Sequence, residues 1–189
     1  MEEKIDMRIR KTYLGLHTAF TQLLEEKKFE DFTVNELCDR AMIRRATFYK
    51  HFADKYDYFA FYMKELISLF QESLSPSLDN CALDTYLVHM ARELLRFMAE
   101  HEGMVKNVMD SNMFPTLLAA LLEQIRFDFT QVLRRSVPAG ESSSPDLEGI
   151  AAFYAGGLLS TLFQMSENGG TPDEEQFIRI LTRFLGISV

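Results

Sequence analysis

The 189-residue sequence has no tryptophan, two cysteines, five prolines and nine glycines. Cys38 and Cys81 form no CxxC pair, so neither a disulfide framework nor a structural zinc is expected and both thiols are expected to be reduced. So little glycine and proline excludes collagen-like and low-complexity chains. No stretch approaches the roughly 18 consecutive apolar residues of a membrane span. The N-terminus opens acidic (Met1, Glu2, Glu3, Lys4) rather than as a basic and then apolar signal. A cytoplasmic protein with no membrane contact is expected.

Enzyme signatures are also missing. There is no G-x-S-x-G, no phosphate-binding glycine loop and no H-E-x-x-H. His89 and Glu93, at i and i+4 with His101 and Glu102 nearby, are the beginning of a metal set without its remainder, and a plain polar pair accounts for them. Ser142 to Ser144 fall in a loop and make no nucleophile. No enzyme activity, metal or cofactor is expected.

What is present is an ordinary globular composition, 47% hydrophobic and 25% charged. A chain of this length buries roughly 70% of the surface its unfolded form exposes, so a real core is available. Charge is uneven: residues 1–55 carry net +1 and the remainder net −9, within a total of −8. Between residues 40 and 55, Arg40, Arg44, Arg45, Lys50 and Lys55 face only Asp54, a local net of +4. That segment suits an anion, and the rest of the chain would repel nucleic acid, which confines any such contact to one end.

Apolar residues recur every three and four positions almost throughout, predicting an all-α protein of about nine helices and no sheet. In the first helix Ile9, Tyr13, Leu16, Phe20 and Leu23 share a stripe. Thr33 and Glu36 make a T-x-x-E capping box for a short second helix, with Phe32 as a staple candidate and Val34, Leu37, Cys38 and Ala41 inward. After a break at Met42 and Ile43, a third segment over 45–52 shares a face between Phe48 and Phe52. Asp54 is the cap candidate for a fourth helix reaching Phe70. Residues 73–81, with Pro76, are expected to be a connector. Beyond it, helices are predicted over 83–100, around 104–109 and over 114–135. Residues 136–145 should form a loop, followed by helices over 146–168 and to about 185, the last with Thr171 as cap candidate and Pro172 in its first turn.

Residues 33–52 therefore have the length and layout of a helix-turn-helix, which rests one helix on the phosphate backbone and lays the next in the major groove. With Phe48 and Phe52 inward, Ala46, Thr47 and Lys50 turn outward with Tyr49 and His51 on the flanks. Thr47 suits a base edge, Lys50 a guanine or a phosphate, Tyr49 and His51 phosphate oxygens, and Lys55 adds a cation at the start of the next helix. A helical corner with a solvated basic face is the alternative.

The run FTVNELCDRAMIRRATFYKHFADK, residues 32–55, resembles the DNA-binding signature of the TetR/AcrR family of bacterial transcription regulators, and TFYKHF, residues 47–52, is its most specific part. FYAGGL, residues 153–158, and ENG, residues 167–169, resemble a subgroup that includes regulators of dihydroxyacetone kinase operons. The resemblance implies DNA contacts from Thr33, Arg44, Arg45, Thr47, Tyr49, His51 and Lys55. It implies an N-terminal three-helix DNA-binding domain over 1–55, joined to a helical ligand-binding and dimerisation domain over 56–189. Two residues depart from the family pattern: Met42 stands where glycine is usual, and Arg44 where a serine caps the recognition helix. A left-handed Met42 costs about 1 kcal/mol, and a missing cap about another 1 kcal/mol.

Such modules act as two-fold dimers on quasi-palindromic double-stranded operators. The final two helices are the candidate dimer surface, through Phe153, Gly156, Gly157, Ser160, Thr161, Phe177, Ile180, Leu181 and Phe184. On pattern alone these stripes could equally pack within one subunit, and the resemblance favours a homodimer. Phe97, Met98, Met104, Met109, Met113, Phe114, Phe127 and Phe129 are candidates for a pocket taking a small apolar ligand, with filled core as the alternative. The expectation is a repressor released by such a ligand. The alternative is a helical dimeric interaction protein acting through a protein partner as coactivator or antagonist.

Overall fold

A computed structural model of the chain describes residues 2–78, 83–137, 146–166 and 172–185. Among them are nine α-helices, one 3-10 turn and no strand. The helices are α1 (Glu2–Glu26), α2 (Val34–Arg40), α3 (Arg45–Phe48), α4 (Lys55–Leu78), α5 (Leu83–Glu100), α6 (Glu102–Met109), α7 (Phe114–Ser136), α8 (Asp146–Ser166) and α9 (Glu174–Leu185).

The chain divides into two compact units, Met1–Leu66 with His101–Pro115, and Ile67–Glu100 with Thr116–Val189. A division at residue 55 was expected; instead α4 contributes to both units, and α6 joins the first. The reason lies in contacts far apart in sequence. The Met104 amide donates to the Glu25 carboxylate at 2.9 Å, a carboxylate at a helix N-terminus, and Asn107 Nδ2 donates at 2.8 Å to the Leu24 carbonyl near the end of α1. Gly103 is needed for this approach, because a Cβ there would lie 2.8 Å from the Glu25 carbonyl oxygen.

The first unit is built around Phe20, fully buried, which meets Phe32 at 5.6 Å, Tyr58 at 5.0 Å and Tyr62 at 4.9 Å between ring centroids. Leu16, Leu23, Phe29, Leu37, Cys38, Phe48 and Phe59 close the same core. The first-helix stripe is buried from Leu16 onward, whereas Ile9 is exposed and Tyr13 half-buried. Tyr62 also meets Thr21 at 2.8 Å, oxygen to oxygen, so its hydroxyl is not left unmatched in the core.

In the second unit Tyr86, Leu87, Met90, Ile125, Phe129, Leu158, Leu159 and Phe177 are buried. Helix α5 packs on α9, with Arg92 and Glu174 paired at 3.3 Å. Helix α8 is apolar on nearly every side: Ala151, Ala155, Leu158 and Leu162 face inward while Ile150 and Phe153 remain exposed.

Three local expectations change. Helix α4 continues to Leu78 instead of stopping before 73–81; Pro76 removes only one ladder donor, two residues from the helix end. The third helix is a single turn, Arg45–Phe48, continued by turns in which Phe52 N–H still bonds to the Phe48 carbonyl at 3.0 Å. Helix α9 is capped by Asp173, whose carboxylate accepts the Gln176 amide at 2.6 Å; Thr171 lies outside the described residues. Most of the expected loop over 136–145, the ENG motif and Cys81 also lie outside them.

Candidate nucleic-acid interface

The helix-turn-helix is assembled by its caps. The Thr33 hydroxyl accepts the Glu36 amide at 3.2 Å and the Glu36 carboxylate accepts the Thr33 amide at 3.3 Å, so the capping box is complete. Lys27 reaches the same Glu36 at 2.7 Å, and these two bonds hold that carboxyl below its usual range. At the other end of α2, Met42 has φ 53°. The Ile43 amide bonds to the Cys38 carbonyl at 3.0 Å and the Met42 amide to that of Asp39 at 3.2 Å, the two bonds of a Schellman ending. Met42 is 92% exposed, so its side chain supplies no packing in return for the strained backbone. Arg44 precedes α3 in extended conformation and gives it no side-chain cap.

The third element presents its outer face to solvent. Phe48 and Phe52 are buried, while Arg44, Arg45, Ala46, Lys50 and His51 are exposed, Tyr49 is 55% exposed and Thr47 is half-buried. Arg45 is steadied by Asn35 of α2, its guanidinium donating at 3.0 Å to the side-chain oxygen. His51 Nδ1 lies 3.4 Å from the Tyr13 hydroxyl. Local pattern placed Tyr13 only on the stripe of α1; nothing in sequence pairs it with a residue 38 positions away.

Two of the five cations counted between residues 40 and 55 are committed elsewhere. Arg40 makes a two-pronged pair with Glu26 at 2.5 and 2.8 Å, and this bonding lowers the Glu26 carboxyl and raises the guanidinium. Lys55, expected to meet a phosphate, instead turns inward. Its Nζ donates at 2.8 Å to the Phe29 and Phe32 carbonyls and at 3.3 Å to the Glu30 backbone carbonyl, and lies 4.6 Å from the Phe29 ring centroid. An ammonium has three protons, and all three have acceptors here. Burial lowers its pKa, against the opposing pull of Glu30 and Asp31. The start of α4 is fastened by Asp54, which accepts the Tyr56 and Asp57 amides at 2.8 and 2.9 Å, while Asp57 accepts the Ala53 amide at 2.9 Å. Arg44, Arg45 and Lys50 are the cations left on the outer face.

The methionine and phenylalanine set is divided between the units. Met104, Met109, Met113 and Phe114 belong to the first, and Phe97, Met98, Phe127 and Phe129 to the second. Phe129 is fully buried and Phe127 is 54% exposed on the opposite side of α7. His89 and Glu93 lie in the second unit, where Glu93 pairs with Arg96; in the first, His101 Nδ1 lies 3.2 Å from Glu25. Among the described residues no group of three or more His, Cys, Asp or Glu could hold a metal ion.

The residues named for the dimer surface also separate. Phe177 and Leu181 are buried inside their own subunit, since a helix of this amphipathicity must cover its inner stripe first. Phe153 (65% exposed) and Phe184 (59%) stack with centroids 5.7 Å apart, with Ile180, Gly157 and Ser160 exposed and Gly156 and Thr161 half-buried. A Cβ at Gly156 or Gly157 would meet nothing within 4 Å, so neither glycine serves packing within the subunit.

A helical chain with a capped helix-turn-helix and a basic reading face has the form of a DNA-binding regulator. Residues 18–60 match the family described as bacterial regulatory proteins of the tetR family, and residues 86–186, more than half the chain, match its transcriptional regulator C-terminal region. The chain belongs to the TetR family of bacterial transcription regulators. Over 55 residues it is 40% identical to YxbF of Bacillus subtilis (strain 168), an uncharacterized HTH-type transcriptional regulator; the match spans 29% of this chain and 14% of that protein. Its fold resembles a TetR transcriptional regulator from Streptococcus agalactiae 2603V, with TM-score 0.67, 21% identity and coverage of 98% and 99% of the two chains. It also resembles the dihydroxyacetone kinase operon activator DhaS, with TM-score 0.61, 16% identity and coverage of 92% and 93%. No helix among the described residues is long and apolar enough to cross a membrane.

Proposed function

We propose that this chain binds a quasi-palindromic DNA operator as a homodimer and acts as a repressor that a small apolar ligand releases. The observation that carries the DNA reading is the outer face of the third element: exposed Arg44, Arg45, Lys50, Tyr49 and His51 on an otherwise anionic chain. Ala46 lets this face approach closely, Thr47 and Lys50 reach base edges, and Thr33, Arg44, Arg45, Tyr49 and His51 hold phosphates. One such face grips too little DNA for specificity, so two copies are needed. The exposed Phe153, Ile180 and Phe184 supply the apolar surface that a second copy would cover. Ligand release requires that the ligand prefer the state whose reading faces do not match the operator. Such a protein would work in the cytoplasm beside the DNA.

The test is binding of the purified full chain to a duplex that it selects from a random-sequence pool, by fluorescence anisotropy at several salt concentrations, with mass from light scattering. A dimer whose affinity falls steeply with salt is expected, and Tyr49→Ala should weaken it at least about tenfold without loss of helicity. A monomer, a salt-independent affinity or an unaffected Tyr49→Ala would reject the reading. Absence of DNA binding by an intact dimer would favour action through a protein partner, as coactivator or antagonist.

A further inference from the structure

We propose that Tyr13 is a positioning residue for His51: its phenol oxygen engages Nδ1, so that the opposite nitrogen, Nε2, is held as a proton donor toward a DNA phosphate. The proposal rests on the reading of His51 as a phosphate contact.

The pair is built from three elements of the first unit. Tyr13 stands on α1 with its ring 5.8 Å from Phe52, 76° edge-on, and 5.2 Å from Phe61 of α4. Phe52 is buried, so the position of the phenol is set by the core and not by solvent. The phenol oxygen lies 3.4 Å from His51 Nδ1, and the two rings meet edge to face at 5.4 Å and 64°. His51 itself is exposed at the end of the reading element.

A neutral imidazole carries one donor and one acceptor nitrogen, and the partner of one nitrogen decides the state of the other. A phenol can donate or accept, and it donates the more strongly; donation to Nδ1 puts the proton on Nε2, whereas the reverse bond from Nδ1–H would leave Nε2 bare. In the imidazolium form Nδ1–H donates to the phenol oxygen and Nε2 again carries a proton. With the phenol donating, as in the imidazolium, the far nitrogen is a donor, which is what a phosphate oxygen requires. Without the phenol a neutral ring divides between tautomers, and the one with a bare Nε2 would set lone pair against lone pair at the phosphate.

The experiment compares wild type, Tyr13→Phe, His51→Ala and the double variant. Imidazole nitrogen shifts are read from long-range proton–nitrogen spectra at about pH 8.5, where an ordinary imidazole is neutral, with His51 assigned from the signals lost in His51→Ala. Affinity is measured for the selected duplex. In wild type Nδ1 is expected to give a pyridine-type shift and Nε2 a pyrrole-type shift. Tyr13→Phe keeps the ring packing and should keep the melting temperature, yet move both shifts toward an average and weaken binding roughly two- to fivefold. In the His51→Ala background the same change should cost nothing further. Unchanged shifts, or a loss that persists without His51, overturn the positioning role while leaving His51 a phosphate contact. An unaltered affinity of His51→Ala overturns the phosphate contact, and with it the proposal.

Discussion

Lys55→Met separates a structural lysine from a DNA-gripping one. The substitution keeps a long apolar stem and removes the ammonium that donates at 2.8 Å to the Phe29 and Phe32 carbonyls and at 3.3 Å to the Glu30 backbone carbonyl. A hydrogen bond from a charged donor contributes roughly 1.5–3 kcal/mol, and the cation over the Phe29 ring about 0.5–1 kcal/mol more. Two short bonds sharing one donor do not add fully, and the site is half-buried, so the expected loss is about 2–4 kcal/mol. Against a typical total of roughly 5–15 kcal/mol that is a large fraction. The urea midpoint of Lys55→Met should therefore fall well below wild type. In cold buffer, where the variant is still helical, the slope of log affinity against log salt should match wild type. A phosphate contact would steepen that slope by about 0.9 per protomer. A variant with the wild-type midpoint and a slope shallower by that amount would refute the carbonyl cage and return Lys55 to the DNA.

Met42→Gly should raise the melting temperature by a few degrees: relief of a left-handed residue returns about 1–2 kcal/mol and glycine's extra unfolded-state freedom takes back about 0.5–1 kcal/mol. Met42→Ala keeps the strained backbone and should give no such rise in a thermal scan; an equal rise would place the effect in the side chain instead. Asp128 accepts the Gln71 and Gln124 amides at 3.2 and 3.0 Å, and burial raises its carboxyl pKa above the ordinary 3.8. Its stabilising contribution is therefore fully present below 3.8 and is lost as pH rises through the raised value. Asp128→Asn should unfold at higher temperature than wild type at neutral pH, with the difference vanishing in acid; calorimetry at both ends of that range would show a pH-independent difference if burial of the charge were irrelevant.

Periodicity and capping chemistry are local, and on those the residue pattern was sufficient. The bounds of α5, the capping box at Thr33 and Glu36 and the cationic run that marks the reading element are visible within a few neighbouring residues, whereas the left-handed turn at Met42 and the uncapped start at Arg44 are implied by the family resemblance. Which of those cations remain available is a different kind of question. Arg40 meets Glu26, 14 positions away, and Lys55 meets carbonyls 23 to 26 positions away, so counting charge along the chain overstated the free cations by two. The same holds for α6, drawn into the first unit by Glu25 and Asn107, and for the apolar stripe of α9, where only packing decides that Phe177 is covered and Phe184 is not. Helix formation is settled by bonds four residues apart. Hydrogen-bond acceptors for a side chain, and burial for one face over another, come from whatever distant segment the fold brings alongside, and no short window contains that segment.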